Sequence, residues 1–440
     1  MPTFTFNSIF AVFVFVSTAV ARFGSGNAIA GAAYFITNDP SGNKVVSVGI
    51  SSNGQLGSTV RAFSTQGRGQ HGNSTGTDAL FSQGSVAVNT KAKLLATVNV
   101  IFKALFSGKM LKDITSQAGS DTVSLFSINS EDPTRLTLLG RPIPSGGEFP
   151  QSVAINSKGT NVCVLNGGKV NGVNCFTTHP VFGLLPRENS VRLLNRNQTT
   201  PPFGPAGSLG SIIFSPDDSK VIAAAKGVPP TPGFIASWTV GFDGSLSSQY
   251  VKSTPAAGGA LPFSLTPIPG TNAILATDPA LGFDIFNFRS SGGRSGELEA
   301  AAATATTVPG QGAICWSTYS PKSGNFYLID TGTSIVTEVR LDKNLKATLV
   351  KQYQLASGSS ILDGEVATIG HNEVSGNNQC VDQSFLYILG AKAASIDVLS
   401  VNVPGKATVV QTFAFTSAVK QAGATFSNLN LQGMATYIKN

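Results

Sequence analysis

The chain repeats one pattern of short β-strand segments along most of its 440 residues. Each unit opens with an apolar segment, continues through a polar turn such as Asn-Ser-Lys-Gly, and then has further segments rich in Val, Ile, Leu and Ala. The spacings between aligned positions are 67, 59, 53, 51 and 51 residues. A further copy, "AAYFITNDPSGNKVVSVGIS", lies near the N-terminus. The aligned positions are Ser85, Ser152, Ser211, Ser264, Cys315 and Val366.

Units of this size are typical of the blades of a β-propeller, each of which holds three or four antiparallel strands. One blade cannot bury both of its faces alone, so blades pack around a common axis. A low content of charged residues (12%) and 48 glycines also favour an all-β chain with many turns. The sequence therefore predicts a single all-β, seven-bladed propeller over residues 22–440. We expect the C-terminal "LNLQGMATYIKN" to close the ring by pairing with the first blade, which removes an exposed edge.

Two segments interrupt the repeat. Residues 100–117, "VIFKALFSGKMLKDITSQ", lack a β-like pattern and fall inside a hairpin that is short in the other units. Removing these 18 residues would shorten the first spacing to 49 and leave a continuous hairpin. The segment is either a retained intron translated in frame or a genuine helical insertion. Residues 374–384, "VSGNNQCVDQS", interrupt the last unit and are interpreted as a loop insertion.

The N-terminus has the pattern of a secretory signal. Residues 1–21 contain an apolar run that ends in the small-x-small sequence Ala-Val-Ala. An N-terminal membrane anchor is the alternative. No later segment offers about 18 uninterrupted apolar residues, the length that a membrane span requires. The sequons at Asn73 and Asn197 then predict surface loops carrying glycans on a secreted, extracellular glycoprotein.

Two of the four cysteines, Cys163 and Cys175, flank a turn rich in Gly and Asn. In an oxidising compartment they could form one disulfide across a hairpin, and two buried free thiols are the alternative. Cys315 lies in an apolar segment and is predicted to fill core.

Charge and histidine content argue against several functions. The net charge of +7 is small for this length and no Arg/Lys stripe alternates with aromatic residues, so nucleic-acid binding is not expected. The three histidines, His71, His179 and His371, are interpreted as residues of surface loops. No pattern of histidine, cysteine and carboxylate residues indicates a metal site, and no cofactor is predicted. We expect a monomer that binds a small molecule or a carbohydrate.

Several segments of the chain resemble a known family. They are "GAAYFITNDPSGNKVVSVGIS", "GSDTVSLFSINSEDPTRLTLLG", "FPQSVAINSKGTNVCVLNGGKVNGVNCF", "PPTPGFIASWTV" and "AICWSTYSPKSGNFYLIDTG". Over residues 30–435 the chain resembles the lactonase-type seven-bladed propellers, which include bacterial 6-phosphogluconolactonase and fungal carboxymuconate cyclase. It is similar above all to secreted fungal proteins described as cyclase-like or isomerase-like. The resemblance bears on the fold more than on the reaction, because one fold can carry many reactions.

The resemblance implies histidine, arginine and glutamate side chains around one mouth of the central channel, with histidines at the starts of the inner strands of blades three and four. An acid/base group near neutral pKa and a cation for a carboxylate or phosphate suit the opening or closing of a lactone. This chain has Gln151 at the blade-three position, Gly210 at the blade-four position, and Lys226 where a glutamate is expected. Glutamine forms hydrogen bonds but cannot carry protons near pH 7, so the family's acid/base chemistry is predicted to be missing.

Other polar residues near the predicted blade tops are further site candidates. Glu148 and Gln151 are the candidate catalytic residues because they lie at the start of an inner strand. Cations among the candidates could hold a ligand carboxylate. Two functions stay open: binding of a small acidic or sugar-type ligand, and lactone hydrolysis or muconate cycloisomerisation by other acid/base residues. The candidate ligand-binding residues are Lys169, Arg187, Glu188, Lys226, Asp278, Asp363 and Glu365, and Asp330 is a further polar residue at a blade top.

Overall fold

The computed structural model describes residues 29–100, 121–288, 300–370 and 382–439. The predicted signal segment 1–21 and all but the first residue of the predicted insertion 100–117 lie outside these ranges. Val100 itself is buried, and its N–H donates to the carbonyl of Arg68 (2.8 Å). Of the predicted loop insertion 374–384, Gln383 and Ser384 belong to a β-strand.

The described residues form 29 β-strands and one short helix, α1 (Thr416–Gln421). None of the helical structure in these residues has the length and apolar character that a membrane span needs. In chain order the strands are β1 (Ile29–Ile36), β2 (Lys44–Ser51), β3 (Leu56–Ser64), β4 (Val86–Asn89), β5 (Leu94–Asn99), β6 (Thr122–Ile128), β7 (Leu136–Pro144), β8 (Pro150–Ile155), β9 (Asn161–Asn166), β10 (Gly172–His179), β11 (Gly183–Pro186), β12 (Arg192–Leu193), β13 (Leu209–Phe214), β14 (Lys220–Ala225), β15 (Phe234–Thr239), β16 (Val251–Ser253), β17 (Leu265–Ile268), β18 (Ala273–Asp278), β19 (Gly282–Phe288), β20 (Ala300–Thr307), β21 (Ile314–Ser320), β22 (Asn325–Asp330), β23 (Ile335–Leu341), β24 (Ala347–Gln354), β25 (Ile361–Ile369), β26 (Gln383–Gly390), β27 (Ser395–Ser400), β28 (Thr408–Ala414) and β29 (Gln432–Ile438).

The strands form seven antiparallel sheets, which are the blades of a propeller. Blades two to seven are built from consecutive strands: β4–β7, β8–β12, β13–β16, β17–β20, β21–β24 and β25–β28. Blade one combines β1, β2 and β3 with β29. This architecture confirms the seven-bladed, all-β fold that the repeat predicts.

The C-terminal strand β29 closes the ring by pairing with β1. Their antiparallel register places Gly31 opposite Ile438 and Tyr34 opposite Ala435, so the predicted closure is confirmed. The N-terminal repeat copy supplies the second and third strands of blade one, because β29 is the inner strand. The strands approach closely at Gly31, where an added Cβ would lie 2.3 Å from the carbonyl oxygen of Tyr437. Glycine is required at this position.

The innermost strands of the seven blades surround the central channel, and they are β29, β4, β8, β13, β17, β21 and β25. The second strands are buried on both faces between neighbouring blades, whereas the outermost strands meet solvent. In blade seven, for example, β26 buries all but its first residue and β28 exposes most of its side chains. This gradient places the apolar core between the blades and leaves the channel wall to the inner strands.

Blade three contains a disulfide between two neighbouring strands. Cys163 on β9 and Cys175 on β10 stand directly opposite each other in the ladder and are bonded at 2.06 Å. The bond therefore links strands that already pair, and it does not join one blade to the next. Cys315 is free and 4% exposed, in the same core cluster as Phe263 and Trp316.

Truncation after Asn430 should prevent ring closure. Loss of β29 would expose the edge of β1 and remove buried side chains such as Met434 and Tyr437 from the core. We expect the truncated chain to lose its cooperative thermal unfolding transition in circular dichroism. A chain ending at Ile438 is the control and should keep a transition near the full-length temperature. Cooperative unfolding of both chains at the same temperature would contradict the role given to β29.

Candidate functional site

The seven inner strands enclose a cavity of about 1260 Å³ in the central channel, and each of them contributes to its wall. Side chains alternate along a strand, so every second residue of an inner strand faces the channel. On β25 this alternation brings Asp363 and Glu365 to the wall together. The amide and hydroxyl residues of the same wall include Gln83, Ser211, Thr266 and Ser317.

The cavity opens at the end of the channel where the inner strands end. Asp218 contributes to this rim and accepts a hydrogen bond from the N–H of Ser157 (2.9 Å). The sequence places the candidate site at the opposite end, where the inner strands begin. The exposed residues of the open rim include Thr90, Ser157, Pro216, Gly370 and Asp382.

The opposite end of the channel is closed by residues 78–84, which we call the strap. The strap leads from blade one to blade two, and its Leu80 and Phe81 are 0% and 1% exposed. Residues 196–208 cover it from outside. A Cβ added at Gly204 would lie 2.4 Å from the Phe81 ring, and Asn73 forms a β-bridge with Phe203. The channel is therefore a blind cavity with one mouth.

Four consecutive carbonyls of the strap accept hydrogen bonds from buried side chains around the closed end of the channel. The donors belong to blades three, four and six. In addition, Asp363 of blade seven accepts the N–H of Gly84 (3.1 Å). Blades on different sides of the channel thus hold the same short segment. The four bonds run from Gln151 Nε2 to Leu80, from Lys226 Nζ to Phe81 (2.6 Å), from Trp316 Nε1 to Ser82 (3.2 Å) and from Ser152 Oγ to Gln83 (2.6 Å).

Gln151 stands where the resemblance expects a catalytic histidine, and here it anchors the strap. Its side chain is fully buried, and its own carbonyl accepts a hydrogen bond from Ser82 Oγ (2.7 Å). A Cβ at Gly167 would lie 1.6 Å from Gln151 Oε1, so the backbone of Gly167 packs directly against the Gln151 amide. Gln151 is sealed from the cavity, and its amide cannot carry protons.

Lys226 is fully buried beneath the strap. Its Nζ donates to the carbonyls of Phe81 and Leu209 and lies 4.1 Å from the centre of the Phe263 ring. Burial lowers the pKa of Lys226 to about 7, although the negative charge of Asp78 opposes this shift. Burial likewise raises the pKa of Asp78 to about 6, against the charge of Lys226. The ammonium group is therefore engaged by the protein itself and does not reach the cavity.

Asp363 and Glu365 are the two predicted site residues that line the cavity. Asp363 accepts the N–H groups of Gly84 (3.1 Å) and Gly364 (3.0 Å). Burial raises the pKa of Asp363 to about 7, against the effect of these backbone bonds. Burial, and then the charge of Asp363, raise the pKa of Glu365 to about 8. The pair consequently retains protons near neutral pH.

The other candidates of blade three lie away from the cavity. Glu148 is half-buried and accepts a hydrogen bond from Thr200 Oγ1. Lys169 and Glu188 are exposed. Arg187 is held on the outer part of the blade, where it donates to Asn161 Oδ1 (2.8 Å), Thr177 Oγ1 (2.9 Å) and the carbonyl of Asp243.

Asp278 is fully buried outside the cavity, where it holds the loop that precedes the inner strand of blade five. It accepts the N–H groups of Ala260 (2.6 Å), Leu261 (2.8 Å) and Ala280 (2.9 Å). Asp330 repeats this role in blade six, with hydrogen bonds from the N–H groups of Gly312 (2.7 Å), Ala313 (2.8 Å), Gly332 (2.9 Å) and Thr333 (3.1 Å). Both carboxylates therefore fix backbone at equivalent places of neighbouring blades.

Asp284 lies beside Asp278 and is fully buried as well. Burial, and then the charge of Asp278 and a hydrogen bond to it, raise the pKa of Asp284 to about 9. Neither oxygen of Asp284 accepts a hydrogen bond in the described structure, and a protonated Asp284 could donate to Asp278. The two acidic side chains therefore lie together without a cation between them in the described structure.

Neither His71 nor His179 lines the cavity. The ring nitrogens of His71 lie 2.7 Å from the carbonyl oxygens of Gly72 and Gly76, and His179 Nδ1 accepts from turn residues at the end of β10. His371 lies outside the described residues. The sequon residues Asn73 and Asn197 are exposed. No cluster of three or more potential metal ligands occurs in the described parts of the chain.

Sequence reasoning missed the hydroxyl residues of the cavity wall. Ser317 Oγ lies 2.8 Å from Ser264 Oγ and 2.7 Å from Thr266 Oγ1, so hydroxyl groups of blades five and six form a small network. Ser211 was visible only as one of the aligned repeat positions, and Thr266 and Ser317 each lie two residues after such a position. Residues two apart on a strand share a face, so the aligned positions could have indicated these wall residues.

Comparison with known proteins shows the fold. No protein-family model and no curated protein matches the chain. The periplasmic gluconolactonase PpgL of Pseudomonas aeruginosa has a TM-score of 0.57 at 13% identity, over 87% of this chain and 96% of that one. A protein of Bacteroides uniformis, provisionally assigned as a 6-phosphogluconolactonase, has a TM-score of 0.57 at 15% identity, over 92% and 100%. Its counterpart from Bacteroides fragilis gives 0.55 at 14%, over 87% and 94%. The chain thus shares the propeller fold of these lactonase-like proteins.

Asp284→Asn should reduce the loss of stability with rising pH. The folded chain keeps a proton on Asp284 that the unfolded chain releases above its ordinary pKa of 3.8, so this group makes stability fall from about pH 4 towards pH 9. We expect the difference in unfolding free energy between pH 5 and pH 8 to shrink by about 4 kcal/mol in the variant. Urea denaturation at both pH values measures it.

Asp330→Asn is the matched control for this experiment. The substitution replaces a carboxylate that accepts backbone N–H groups and so weakens those hydrogen bonds. Because this effect does not involve a proton held by the folded chain, it should lower the unfolding free energy by similar amounts at both pH values. An Asp284→Asn variant with the wild-type pH dependence would show that Asp284 is ionised in the folded chain.

Proposed function

We propose that the protein binds a small, uncharged, hydroxyl-rich ligand of the sugar type in the channel cavity. The observation that carries this proposal is the set of groups on the cavity wall, where Asp363 and Glu365 lie among the hydroxyls of Ser211, Thr266 and Ser317. Carboxyl groups accept hydrogen bonds and hydroxyl groups both donate and accept them, which matches the hydroxyl groups of a sugar.

The charge of the cavity favours an uncharged ligand over an acidic one. Lys439, at the mouth, is the one cation that lines it in the described structure. The candidate cations Lys169, Arg187 and Lys226 lie elsewhere. A ligand carboxylate inside the cavity would therefore find no cation to compensate its charge, and it would meet like charges once Asp363 and Glu365 ionise above their pKa values of about 7 and 8. The acidic residues of the lining are Asp218, Asp363, Glu365 and Asp382.

The size and apolar part of the cavity also suit a sugar-type ligand. A cavity of about 1260 Å³ exceeds the usual range of small-molecule sites, roughly 300–1,000 Å³, so it has room for more than one sugar ring. Apolar side chains of the inner strands, such as Val86, Val153 and Ile155, line the wall beside the polar groups. They can pack against the C–H faces of a sugar ring.

Lactone hydrolysis is the second candidate function, and the pKa values of Asp363 and Glu365 favour it. One carboxylate would take a proton from water as its oxygen attacks the lactone carbonyl. The ring C–O bond then breaks, and the other carboxyl group donates its proton to the departing oxygen, which gives a hydroxy acid. The similarity to PpgL, named as a gluconolactonase, supports this candidate only through the shared fold.

Secretion and glycosylation belong to the same proposal and rest on the sequence. Asn73 and Asn197 lie in the loops that cover the strap, and their side chains are exposed. Glycans at these positions would stand over the closed end of the channel. The open rim around Thr90 and Asp382 would stay free for the ligand.

Calorimetric titration with neutral oligosaccharides and with the matching sugar acids tests the binding proposal. We expect the neutral sugars to bind at least tenfold more tightly than the acids. Glu365→Gln should weaken the neutral sugars roughly tenfold, because it removes a carboxyl group that can bond a sugar hydroxyl, and it should strengthen the acids above about pH 8, where Glu365 is ionised. Glu131→Gln, at an exposed position outside the cavity, is the control. Equal affinity for acids, or no effect of Glu365→Gln, would contradict the proposal.

Turnover of a panel of sugar lactones between pH 5 and pH 9 tests the second candidate. An active pair would give a rate that peaks near the pKa values of about 7 and 8, and Glu365→Gln would lower the rate at least a hundredfold. Glu131→Gln is again the control and should keep the wild-type rate. Absence of turnover by a folded protein that binds the neutral sugars would leave binding as its function.

A further inference from the structure

The strap is held in a strained conformation by side chains rather than by a β-ladder. Phe81 has a φ of 54°, in the left-handed region that a bulky residue rarely adopts, and Gly84 follows with a φ of 82°. Such strain persists only where surrounding contacts impose it. The Phe81 ring fits a space left by glycines, since a Cβ at Gly72 or Gly204 would lie 2.3 Å or 2.4 Å from it.

Lys226 is the donor that can carry a positive charge among the described groups that hold the strap. Its ammonium group bridges the Phe81 carbonyl of the strap and the Leu209 carbonyl of blade four, so one side chain ties the strap to the wall. Charge-assisted hydrogen bonds are stronger than neutral ones. The amide of Gln151 and the indole of Trp316 add neutral bonds to the adjacent carbonyls. The closed state therefore depends most on Lys226.

We propose that the strap is a releasable latch, held by Lys226, whose opening together with the covering residues 196–208 turns the blind cavity into a channel with two mouths. Release would free the donors of Lys226, Gln151 and Trp316, which now bind strap carbonyls. An ammonium, an amide and an indole N–H together suit a ligand rich in oxygen acceptors, such as a carboxylate. The closed and open states would thus differ in ligand preference: the closed cavity presents carboxyl groups, and the opened end presents N–H donors. This ligand preference rests on the proposed binding function, whereas the movement of the strap does not.

Cys315 is a natural reporter of strap opening. It precedes Trp316, whose indole bonds the strap, and only 4% of its surface is exposed. Asp78 and Lys226 both act electrostatically on its thiol, so it lies close to the strap anchor. Cys163 and Cys175 are bonded to each other and do not react with thiol reagents. Cys380, which is outside the described residues, is replaced by serine in every variant.

The experiment measures the rate at which 5,5′-dithiobis(2-nitrobenzoate) labels Cys315 under native conditions. Lys226→Met keeps the length of the side chain and removes its donor, so we expect labelling roughly tenfold faster or more. Lys220→Met is the matched control, because Lys220 is a buried lysine of the same blade that does not bond the strap. It should label at the wild-type rate.

A second variant keeps the test decisive if Lys226→Met does not fold. Gln151→Leu removes the hydrogen bond to the Leu80 carbonyl at similar volume and should also speed labelling. Urea denaturation of each variant gives the labelling rate expected from global unfolding. Labelling in excess of that rate supports the latch. Labelling at the wild-type rate, or only at the global unfolding rate, would overturn it. Sugar binding by the closed cavity is measured separately with Glu365→Gln, so the two proposals can fail independently.

Discussion

The antiparallel ladder between β29 and β1 is the interaction on which the rest of the structure depends. Every other blade forms from consecutive strands, but blade one needs a strand from the far end of the described chain. Without that pairing blade one would lack its inner strand, which packs against β25 and β4, and the inner strands could not enclose a cavity. Ring closure therefore fixes the positions of all channel residues, including Asp363 and Glu365, relative to one another.

The strap and the cavity show how burial changes the charge and the role of ionisable residues. Lys226 and Asp363 both belong to the channel region. Lys226 donates to the strap, whereas Asp363 lines the cavity. Removal from water brings their pKa values towards one another, to about 7 in each case, from opposite directions. The charges of this region are thus set by packing, and the strap decides which of them a ligand can reach.

The sequence predicted the fold well because a repeat records local structure many times. The strand–turn–strand pattern is independent of distant contacts, and the C-terminal segment had an apolar pattern without a partner in its own unit. Asp363 and Glu365 were also accessible to prediction, since residues two apart on a strand share a face. Cys163 and Cys175 were recognised as a possible pair, but their direct opposition in the ladder required the register.

The strap could not be predicted because its contacts are long-range and its own sequence is ordinary. "DALFSQG" has no strand alternation, and its anchors Gln151 and Trp316 are 69 and 234 residues away from Ser82. Without the strap, nothing in the sequence indicates which mouth is closed. Lys226 therefore resembled a cation for a ligand, and Gln151 resembled a degraded catalytic position, where the folded chain uses both to hold its own backbone.

The place of β29 in chain order has a consequence for synthesis. A ribosome releases β1, β2 and β3 first and β29 after all the other strands, so the inner edge of β1 stays unpaired while six blades are made. Domains fold progressively as they emerge, and an unpaired strand edge is prone to wrong pairing. The nascent protein therefore depends on keeping this edge shielded, by chaperones or by temporary contacts, until its true partner arrives.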